Sequence, residues 1–431
     1  MKISKLHIDQ YRHLENLTFD FKYLSGERKG QSLDKICFIG QSATGKTGLL
    51  ELIYEQCFAI QNIVFYQDIF LFSKKIEKLD GNILFEFENK EIDLSSNQLK
   101  VNDVEHKLGK ISERQDSLLT KNDKKPILYF KANLISDKNI DIFTKNPIDL
   151  FEKYSKNATL SLSSIRDKKN NENEPLTIFN DEVDIKIWLS LLSEILSYRK
   201  NHYQKMSELI HKGLLADQTK LNTEYQKWQK ENPNKLEAFA EKFNPILEKL
   251  NLEVDLINTE YSIPIKNKKN DEIIPIQNTS TGTKGLLLSF LPLFKLDTKD
   301  AIILIDEPER SLYPDMQMDL MEYYKNLAPN AQFIVATHSP FIAASFEPDE
   351  RFILYFNEEG KVAVRRGSSP IGDDPNDMLK NDFKVNYYNK HGEEAYQKYI
   401  NLKQAVANEN DPKRKKELLL EAVKLGDIYN F

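Results

Sequence analysis

A glycine-rich run near the start of the chain constrains its fold more than any other segment. The run consists of Gly40, Gln41, Ser42, Ala43, Thr44, Gly45, Lys46 and Thr47. It follows the apolar residues 36–39 and precedes apolar residues at helical spacing, which predicts a strand, a tight loop and a helix in that order. Glycines in such a loop let backbone N–H groups and the helix N-terminus face a phosphate. We therefore predict a nucleotide site, with Lys46 on the β- and γ-phosphates and the Thr47 hydroxyl on Mg²⁺. An ordinary strand-to-helix turn is the alternative, but it would not require Lys and Thr after the second glycine.

The composition is typical of a soluble globular protein. The chain has 431 residues, of which 40% are hydrophobic, and its only cysteines are Cys37 and Cys57. These are too few for a disulfide framework, and no uncharged apolar stretch reaches the ~18 residues of a membrane span. The first residues also lack a signal-peptide core. We therefore expect a cytoplasmic protein with two or more substructures and no membrane partner.

The charge of the chain offers no global attraction for nucleic acid, because the formal net charge is −6. A DNA or RNA partner would need a local basic surface. The two candidate clusters are Lys266, Lys268 and Lys269, and Arg166, Lys168 and Lys169. Both clusters lie among Asn, Asp and Glu residues, which is also typical of solvated loops. Nucleic acid thus stays open as a partner.

Hydrophobic periodicity divides the chain into sheet-forming and helical regions. Alternating apolar residues predict two strands within residues 1–24 and antiparallel strands within residues 80–105. Residues 127–130 form a short apolar run that predicts a buried strand. The charged segments 111–125 and 164–175 are typical of surface loops.

The second half of the chain begins helical and then returns to strands. Apolar residues recur every three or four positions from about 182 to 250, which predicts a compact helical insertion and not a long coiled-coil arm. After residue 272, apolar runs separated by short helices predict parallel β–α units. Residues 392–429 predict a helical hairpin, with Asp411 and Pro412 opening its second helix.

Two acidic residues follow one of these apolar runs. Residues 302–305 are apolar and mostly β-branched, and Asp306 and Glu307 come next. A buried parallel strand delivers the residues at its end to the carboxyl edge of the sheet, where ligands bind in open α/β folds. We predict that Asp306 binds Mg²⁺ and that Glu307 accepts a proton from the attacking water. A helix N-cap is the structural alternative.

Two further segments predict polar groups at the same edge. His338 follows the apolar residues 333–336 and could hydrogen-bond the γ-phosphate or the attacking water, although a lone histidine is more often a satisfied core residue. Residues 278–285 are rich in glycine and hydroxyl side chains and precede an apolar helix. Such a helix N-terminus can bind an anion; an ordinary capped helix is the alternative.

In this order the four segments resemble the motifs of the ABC-type ATPases, in the branch related to SMC, RecF and OLD proteins. Residues 40–47 are similar to Walker A, residues 279–284 to the signature motif, residues 302–307 to Walker B, and residues 337–339 to the switch-histidine segment. Residues 6–14 also look like the first strand and loop of that branch. The resemblance implies an α/β ATPase head with mixed and parallel β-sheets, binding ATP and Mg²⁺.

The resemblance also implies a composite site. Such heads sandwich ATP between two subunits, so Ser280 and Gly282 of one copy would act on the phosphate loop of another. The chain would then be a homodimer or a higher homo-oligomer. Three residues depart from the family pattern, namely Thr279 and Thr281 in the signature and Tyr313 in place of the D-loop aspartate. These departures put rapid turnover in question, so slow, regulatory hydrolysis is one alternative. No Q-loop glutamine is assigned.

A narrower resemblance rests on Pro308, Glu309 and residues 312–314, together with residues 372–379 and the final helices. These segments look like the stand-alone ATPases of bacterial anti-phage defence, including the PtuA-like ATPases of Septu and retron systems and AriA of PARIS. The resemblance implies that a separate effector, a nuclease or a toxin, docks on the ATPase.

We expect the chain to have four parts: an N-terminal head part (1–150), a mainly helical insertion (151–265), a C-terminal head part (266–370) and a helical tail (371–431).

Two other functions compete with this interpretation. A RecF-like repair ATPase would clamp DNA, and a single-chain nuclease of the OLD kind would need a metal-binding acidic cluster after the head. The acidic pairs after the head are Glu358–Glu359 and Asp373–Asp374, and each lies beside a glycine, which is typical of a turn. The absence of a long arm and of a strong basic stripe favours the partner-binding ATPase.

Overall fold

The computed structural model describes residues 1–66, 79–87, 90–95, 98–107, 125–140, 143, 176–258, 260–372, 374–385 and 390–429. Its contacts divide the chain into two compact units, Met1–Gly372 and Asp373–Phe431. The predicted loops at 111–125 and 164–175, apart from Lys125, and the basic cluster Arg166, Lys168 and Lys169 lie outside the described residues. The expected boundaries at residues 150 and 265 stay predictions.

The first sheet is antiparallel and is formed by the N-terminal part of the chain. Its strands follow the spatial order β2-β1-β4-β5-β6-β7. They are β1 (Lys2–Tyr11), β2 (Leu14–Asp20), β4 (Asp80–Phe87), β5 (Lys90–Ser95), β6 (Gln98–Val101) and β7 (Val104–Lys107). Apolar and polar residues alternate along them, so one face of the sheet is buried, as the sequence predicts.

The second sheet carries the candidate site and is parallel except for one edge strand. Its spatial order is β16-β15-β3-β14-β13-β8-β9, and only β16 runs antiparallel to its neighbour. The strands are β3 (Lys35–Gly40), β8 (Ile127–Phe130), β9 (Leu176–Phe179), β13 (Ile302–Asp306), β14 (Gln332–Ala336), β15 (Arg351–Phe356) and β16 (Val362–Arg366). The central strands are buried along their whole length, as parallel strands covered on both faces require.

One strand of this sheet falls in the range that the sequence assigns to the helical insertion. β9 pairs in parallel with β8, so residues 176–179 complete the edge of the parallel sheet. Only four residues form this strand, too few for the alternating pattern of the sequence to indicate it. A third, small antiparallel sheet consists of β10 (Leu252–Val254), β11 (Ile265–Asn267) and β12 (Ile273–Ile274).

An aromatic core joins the first two sheets. Phe19 lies 5.6 Å from Phe38, and Phe21 lies 5.1 Å from Phe352, measured between ring centroids. All four rings are buried. The antiparallel sheet therefore covers one face of the parallel sheet through edge-to-face contacts, which stabilise aromatic pairs beyond their buried area.

Eleven helices lie in the described ranges, and none is long and apolar enough to cross a membrane. They are α1 (Lys46–Tyr66), α2 (Asp137–Ile140), α3 (Ile185–His211), α4 (Gln218–Glu231), α5 (Lys235–Glu248), α6 (Thr281–Lys295), α7 (Pro314–Leu327), α8 (Pro340–Ala344), α9 (Pro375–Asn381), α10 (Lys390–Asn408) and α11 (Pro412–Tyr429). The predicted helical region 182–250 corresponds to α3, α4 and α5.

The helical region packs on α6, which begins within the signature-like residues 279–284. α5 buries the stripe that its periodicity predicts, and Asn234 caps its first turn by accepting from the Leu236 N–H. Phe243 lies 5.2 Å from Phe290, and Phe239 lies 5.4 Å from Phe294, so α5 contacts α6 along two helical turns.

The second unit contains the predicted helical hairpin. α10 and α11 pack against each other, and Lys398 pairs with Glu421 across them at 3.3 Å. Asp411 accepts a hydrogen bond from the Lys413 N–H, and Pro412 is the first residue of α11. This N-cap and first-turn proline are the start signals read from the sequence.

A buried glutamine ties the N-terminal strand to the parallel sheet. Gln332 is fully buried, and its Nε2 donates to the carbonyls of Ile3 and Leu33, each at 2.9 Å. Its Oε1 accepts from the Ile3 N–H at 2.7 Å. One side chain on β14 therefore satisfies backbone groups of β1 and of the loop that precedes β3.

Replacing Gln332 by methionine should lower the free energy of unfolding by about 3 kcal/mol, because three hydrogen bonds disappear and buried backbone groups stay unpaired. Chemical denaturation of the variant would measure this loss. Gln204→Met on the exposed side of α3 is the control and should be neutral. Equal stability of the two variants would contradict a tying role for Gln332.

Candidate nucleotide-binding site

The glycine-rich run forms a tight loop between β3 and α1. Gly40 ends β3 with a φ of 149°, and a Cβ there would lie 2.1 Å from the carbonyl oxygen of Leu354 on β15. Only glycine fits this position. Ala43 has a φ of 66°, a left-handed conformation that is uncommon for a residue with a side chain. The loop therefore leaves β3 at a position where β15 admits only glycine, and it turns through a left-handed residue at Ala43.

The lysine of the loop bonds back onto the loop itself. Lys46 is only 6% exposed, and its Nζ donates to the carbonyl oxygens of Gly40 and Gln41, each at 2.9 Å. Burial lowers the pKa of Lys46 to about 8, and the carboxylates of Asp306 and Glu307 oppose this shift. Because neutral pH lies below this value, the ammonium group stays mostly charged and lies among the loop carbonyls.

Asp306 and Thr47 meet at the end of the central strands. Asp306 is the last residue of β13, and the Thr47 hydroxyl donates to its carboxylate at 3.0 Å. Burial raises the pKa of Asp306 to about 6, and the Thr47 hydroxyl opposes the shift while nearby Glu307 and Glu309 add to it. A hydroxyl and a carboxylate are the hard oxygen ligands that Mg²⁺ takes, together with water and phosphate oxygens. The two residues therefore fit the predicted metal role.

Glu307 and His338 reach the same edge from adjacent strands. The Glu307 N–H donates to the carbonyl of Ala336 at 2.9 Å, and Glu307 has a left-handed φ of 49°. His338 lies two residues past β14, which stands between β3 and β13 in the sheet. Burial lowers the pKa of His338, and the Lys46 charge lowers it further. The imidazole is thus mainly neutral at pH 7 and within electrostatic range of Lys46.

The signature residues pack against the segment that follows Asp306. Ser280 caps α6, accepting from the Thr283 N–H at 3.1 Å. Gly282 is buried, and a Cβ there would lie 2.4 Å from the Ser311 carbonyl oxygen. Gly282 also lines a cavity of about 50 Å³ together with Asp306 and Glu307. Within one chain, α6 is thus in close contact with the turn that follows β13.

The structure assigns contacts to two residues that were given no role from the sequence. Glu309 accepts a hydrogen bond from the His338 N–H at 2.8 Å. Gln317 on α7 donates to the Leu312 carbonyl at 2.7 Å and accepts from the Ser339 hydroxyl at 2.5 Å. Glu309 stands three residues after Asp306 and belongs to the narrower family resemblance, but neither signal gave it a contact or a task in the site. Gln317 had none, because its partners lie on separate segments.

Among the described residues, no group of three or more His, Cys, Asp or Glu side chains could hold a metal ion. Glu358 and Glu359 follow β15 in an exposed turn closed by a hydrogen bond from the Gly360 N–H to the Asn357 carbonyl. The pair at 373–374 lies partly outside the described residues.

Solved structures that are similar to this chain include head domains of SMC proteins. The Smc head bound to the C-winged helix domain of ScpA gives a TM-score of 0.41 at 12% identity, over 85% of this chain and 98% of that chain. The SMC head domain from Thermotoga maritima gives a TM-score of 0.39 at 14% identity, over 86% of this chain and 100% of that chain.

Two relatives are a Septu protein and a probable retron ATPase. The Septu protein PtuA of Bacillus thuringiensis is 33% identical over 72 residues, 17% of this chain and 18% of PtuA. The Retron Vc95 probable ATPase of Vibrio cholerae serotype O1 biovar El Tor is 31% identical over 78 residues, 18% of this chain and 15% of that protein. The matched segments span less than a fifth of either relative. They confirm the resemblance to PtuA-like ATPases, whereas the resemblance to AriA stays a prediction.

The family match covers most of the chain. The predicted α/β fold with mixed and parallel sheets is confirmed by the two large sheets. The phosphate loop, the acidic strand end and the histidine all lie in the matched region. The family described as AAA ATPase domain (AAA_15) matches residues 1–343, and the chain therefore belongs to this ATPase family.

Proposed function

We propose that this ATPase binds Mg²⁺ and ATP at the loop of residues 40–47 and that ATP-dependent pairing of two heads controls a partner effector in bacterial anti-phage defence. The effector would be a nuclease or a toxin. The observation that carries the nucleotide site is the 3.0 Å hydrogen bond between Thr47 and Asp306, which joins the phosphate loop to the acidic strand end.

Each residue of the site has a proposed task. Lys46 would exchange its two loop carbonyls for phosphate oxygens, which form stronger, charge-assisted hydrogen bonds. Thr47 and Asp306 would hold Mg²⁺, which neutralises developing phosphate charge when bound. Glu307 would take the proton of the attacking water. The neutral imidazole of His338 would donate a hydrogen bond to the γ-phosphate or orient the water.

Head pairing is supported by the exposure of the signature segment. Ser280 and Thr281 are exposed at the start of α6, where the unpaired backbone N–H groups of a helix favour an anion. Tyr313 is 74% exposed at the start of α7, close in sequence to the acidic strand end. A second copy would cover this surface and place Ser280 and Gly282 on the other phosphate loop.

Substitution of Ser280 by arginine tests the pairing. The variant should bind ATP as a monomer with unchanged affinity, whereas its ATP-dependent association should weaken by on the order of 100-fold, because a bulky cation clashes at a tight interface. Sedimentation velocity with and without nucleotide would measure association. Ser207→Arg on the exposed face of α3 is the matched control. Normal association of the Ser280 variant would contradict signature capping.

The effector is proposed from similarity to the PtuA and retron proteins, which covers only short segments. Co-purification with the product of a neighbouring gene, in the ATP-bound and nucleotide-free states, is the direct experiment. A nuclease or toxin that binds in only one of the two states would support control by nucleotide. Equal binding in both states would argue against it.

The RecF-like alternative needs a basic surface that can bind DNA. The described candidate for that surface is the cluster of Lys266, Lys268 and Lys269, and most of its charge is neutralised by ion pairs. Lys266 pairs with Asp271 at 2.7 Å and with Glu253 at 3.2 Å, and Lys268 pairs with Glu248 at 2.8 Å. These carboxylates neutralise two of the three lysines proposed for nucleic acid. Binding of duplex DNA by the purified protein, with a steep salt dependence, would instead support the alternative.

A further inference from the structure

Two side chains link the turn after β13 to the segment that carries His338. We name residues 307–312 the acidic turn and residues 337–339 the histidine segment. Glu309 in the acidic turn accepts from the His338 N–H at 2.8 Å. Gln317 bonds the carbonyl of Leu312, at the end of the same turn, and the hydroxyl of Ser339. The two segments are thus connected at two points.

The acidic turn is itself tightly closed. Arg310 N–H donates to the Glu307 carbonyl at 3.1 Å, and Leu312 N–H donates to the Glu309 carbonyl at 2.9 Å. Glu307 and Ser311 have φ values of 49° and 63°. Left-handed conformations at such residues persist only where the surroundings enforce them. The turn therefore holds the Glu309 side chain in a defined direction.

Glu309 supplies the hydrogen-bond acceptor for the main-chain N–H of His338 in the histidine segment. The strand ladder ends when the Thr337 N–H donates to the Phe38 carbonyl at 3.1 Å. The next N–H, that of His338, goes to the Glu309 carboxylate, and the Ser339 N–H goes to the Thr337 hydroxyl at 2.9 Å. Glu309 is thus the group outside the segment that fixes the backbone of His338.

We propose that Glu309 is a positioning residue that holds His338 in register with Glu307 and transmits displacement of the acidic turn to the histidine. This inference rests on the proposed roles of Glu307 and His338 in ATP hydrolysis. Gly282 of α6 packs on Ser311 in the same turn, so the signature helix of each head contacts this linkage directly. A second head that presses on the acidic turn would therefore also move His338.

Two substitutions distinguish the effect of the side-chain length of Glu309 from the effect of its charge. Glu309→Gln keeps an oxygen at the same distance from the His338 N–H but is neutral. Glu309→Asp keeps the charge but withdraws the oxygen by one methylene. We expect the Gln variant to retain kcat within about threefold, and the Asp variant to lose on the order of 10- to 100-fold in kcat, because small misplacements of a catalytic group are costly. Equilibrium binding of ATP should stay near the wild-type value in both.

The measurement is steady-state phosphate release together with equilibrium binding of a fluorescent ATP analogue. Glu358→Asp in an exposed turn is the matched control and should behave as the wild type. If Glu309 acted through its charge, the order of the two variants would be reversed, and equal activity of the Asp and Gln variants would remove Glu309 as a positioning residue.

A parallel assay of Glu307→Gln distinguishes failure of the Glu309 linkage from failure of the proposed hydrolytic site. If that variant is inactive while Glu309→Asp turns over normally, only the linkage fails; if Glu307→Gln is fully active, the proposed hydrolytic site fails.

Discussion

Substitution of Lys46 by methionine is expected to weaken ATP binding by at least about 100-fold. The Lys46 ammonium is almost fully buried and points into the curve of the phosphate loop, where it bonds two carbonyl oxygens. Hydrogen bonds to charged groups contribute about 1.5–3 kcal/mol each, and 1.4 kcal/mol corresponds to a factor of ten in affinity. Loss of two such bonds to phosphate therefore predicts a change of this size. Isothermal titration calorimetry with Mg²⁺ and ATP would measure it.

The matched control for the Lys46 variant is the same substitution at a lysine outside the site. Lys29 is exposed in the loop between β2 and β3, and Lys29→Met should leave ATP affinity unchanged. Methionine occupies about the same volume as the lysine stem, so the loop at Gly40 and Gln41 keeps its packing. Wild-type affinity in the Lys46 variant would remove the glycine-rich run from the nucleotide site.

The parts of the fold that the sequence predicts are those with local causes. The strand before Gly40, the helix after Thr47 and the carboxylate at the end of residues 302–305 each follow from periodicity within about ten residues. Thr47 and Asp306 are 259 positions apart, yet their meeting is predictable. Asp306 ends β13, and Thr47 lies in the first turn of α1, directly after the loop that follows β3. Both therefore lie at the carboxyl edge of the parallel sheet, where polar groups from neighbouring strands meet.

The parts that the sequence does not predict depend on pairing across long separations. β9 is too short to show a period, and its place at the sheet edge is set only by its pairing with β8. Gln332 reads as a polar residue at the start of a strand, and its three buried hydrogen bonds appear only when Ile3 and Leu33 come close to it. The link from Glu309 to His338 also joins two turns that are 29 positions apart.

The three acidic residues of the site, Asp306, Glu307 and Glu309, differ in the groups that bond them. Asp306 is bonded by Thr47, Glu309 is bonded by the His338 N–H, and Glu307 has its backbone fixed to Ala336. Burial raises the pKa of both Asp306 and Glu309. Two of the three carboxylates are thus engaged by neighbouring groups. Glu307, whose main chain is fixed to the Ala336 carbonyl, is the remaining carboxylate and is the one that we propose as the base.

Glu307→Gln is therefore expected to lower the rate of ATP hydrolysis by on the order of 100-fold or more, because an amide cannot accept the proton of the attacking water. ATP affinity should be retained or rise, since one negative charge beside Asp306 is removed and phosphate repulsion decreases. Single-turnover phosphate release and ATP-binding titrations would measure the two effects separately.

Glu309→Gln makes the same chemical change two residues away, and there we expect turnover close to that of the wild type. A Glu307 variant that hydrolyses ATP at the wild-type rate would exclude this residue as the base. If hydrolysis instead fails while ATP stays bound, paired heads should accumulate in sedimentation, because the step that separates them no longer occurs.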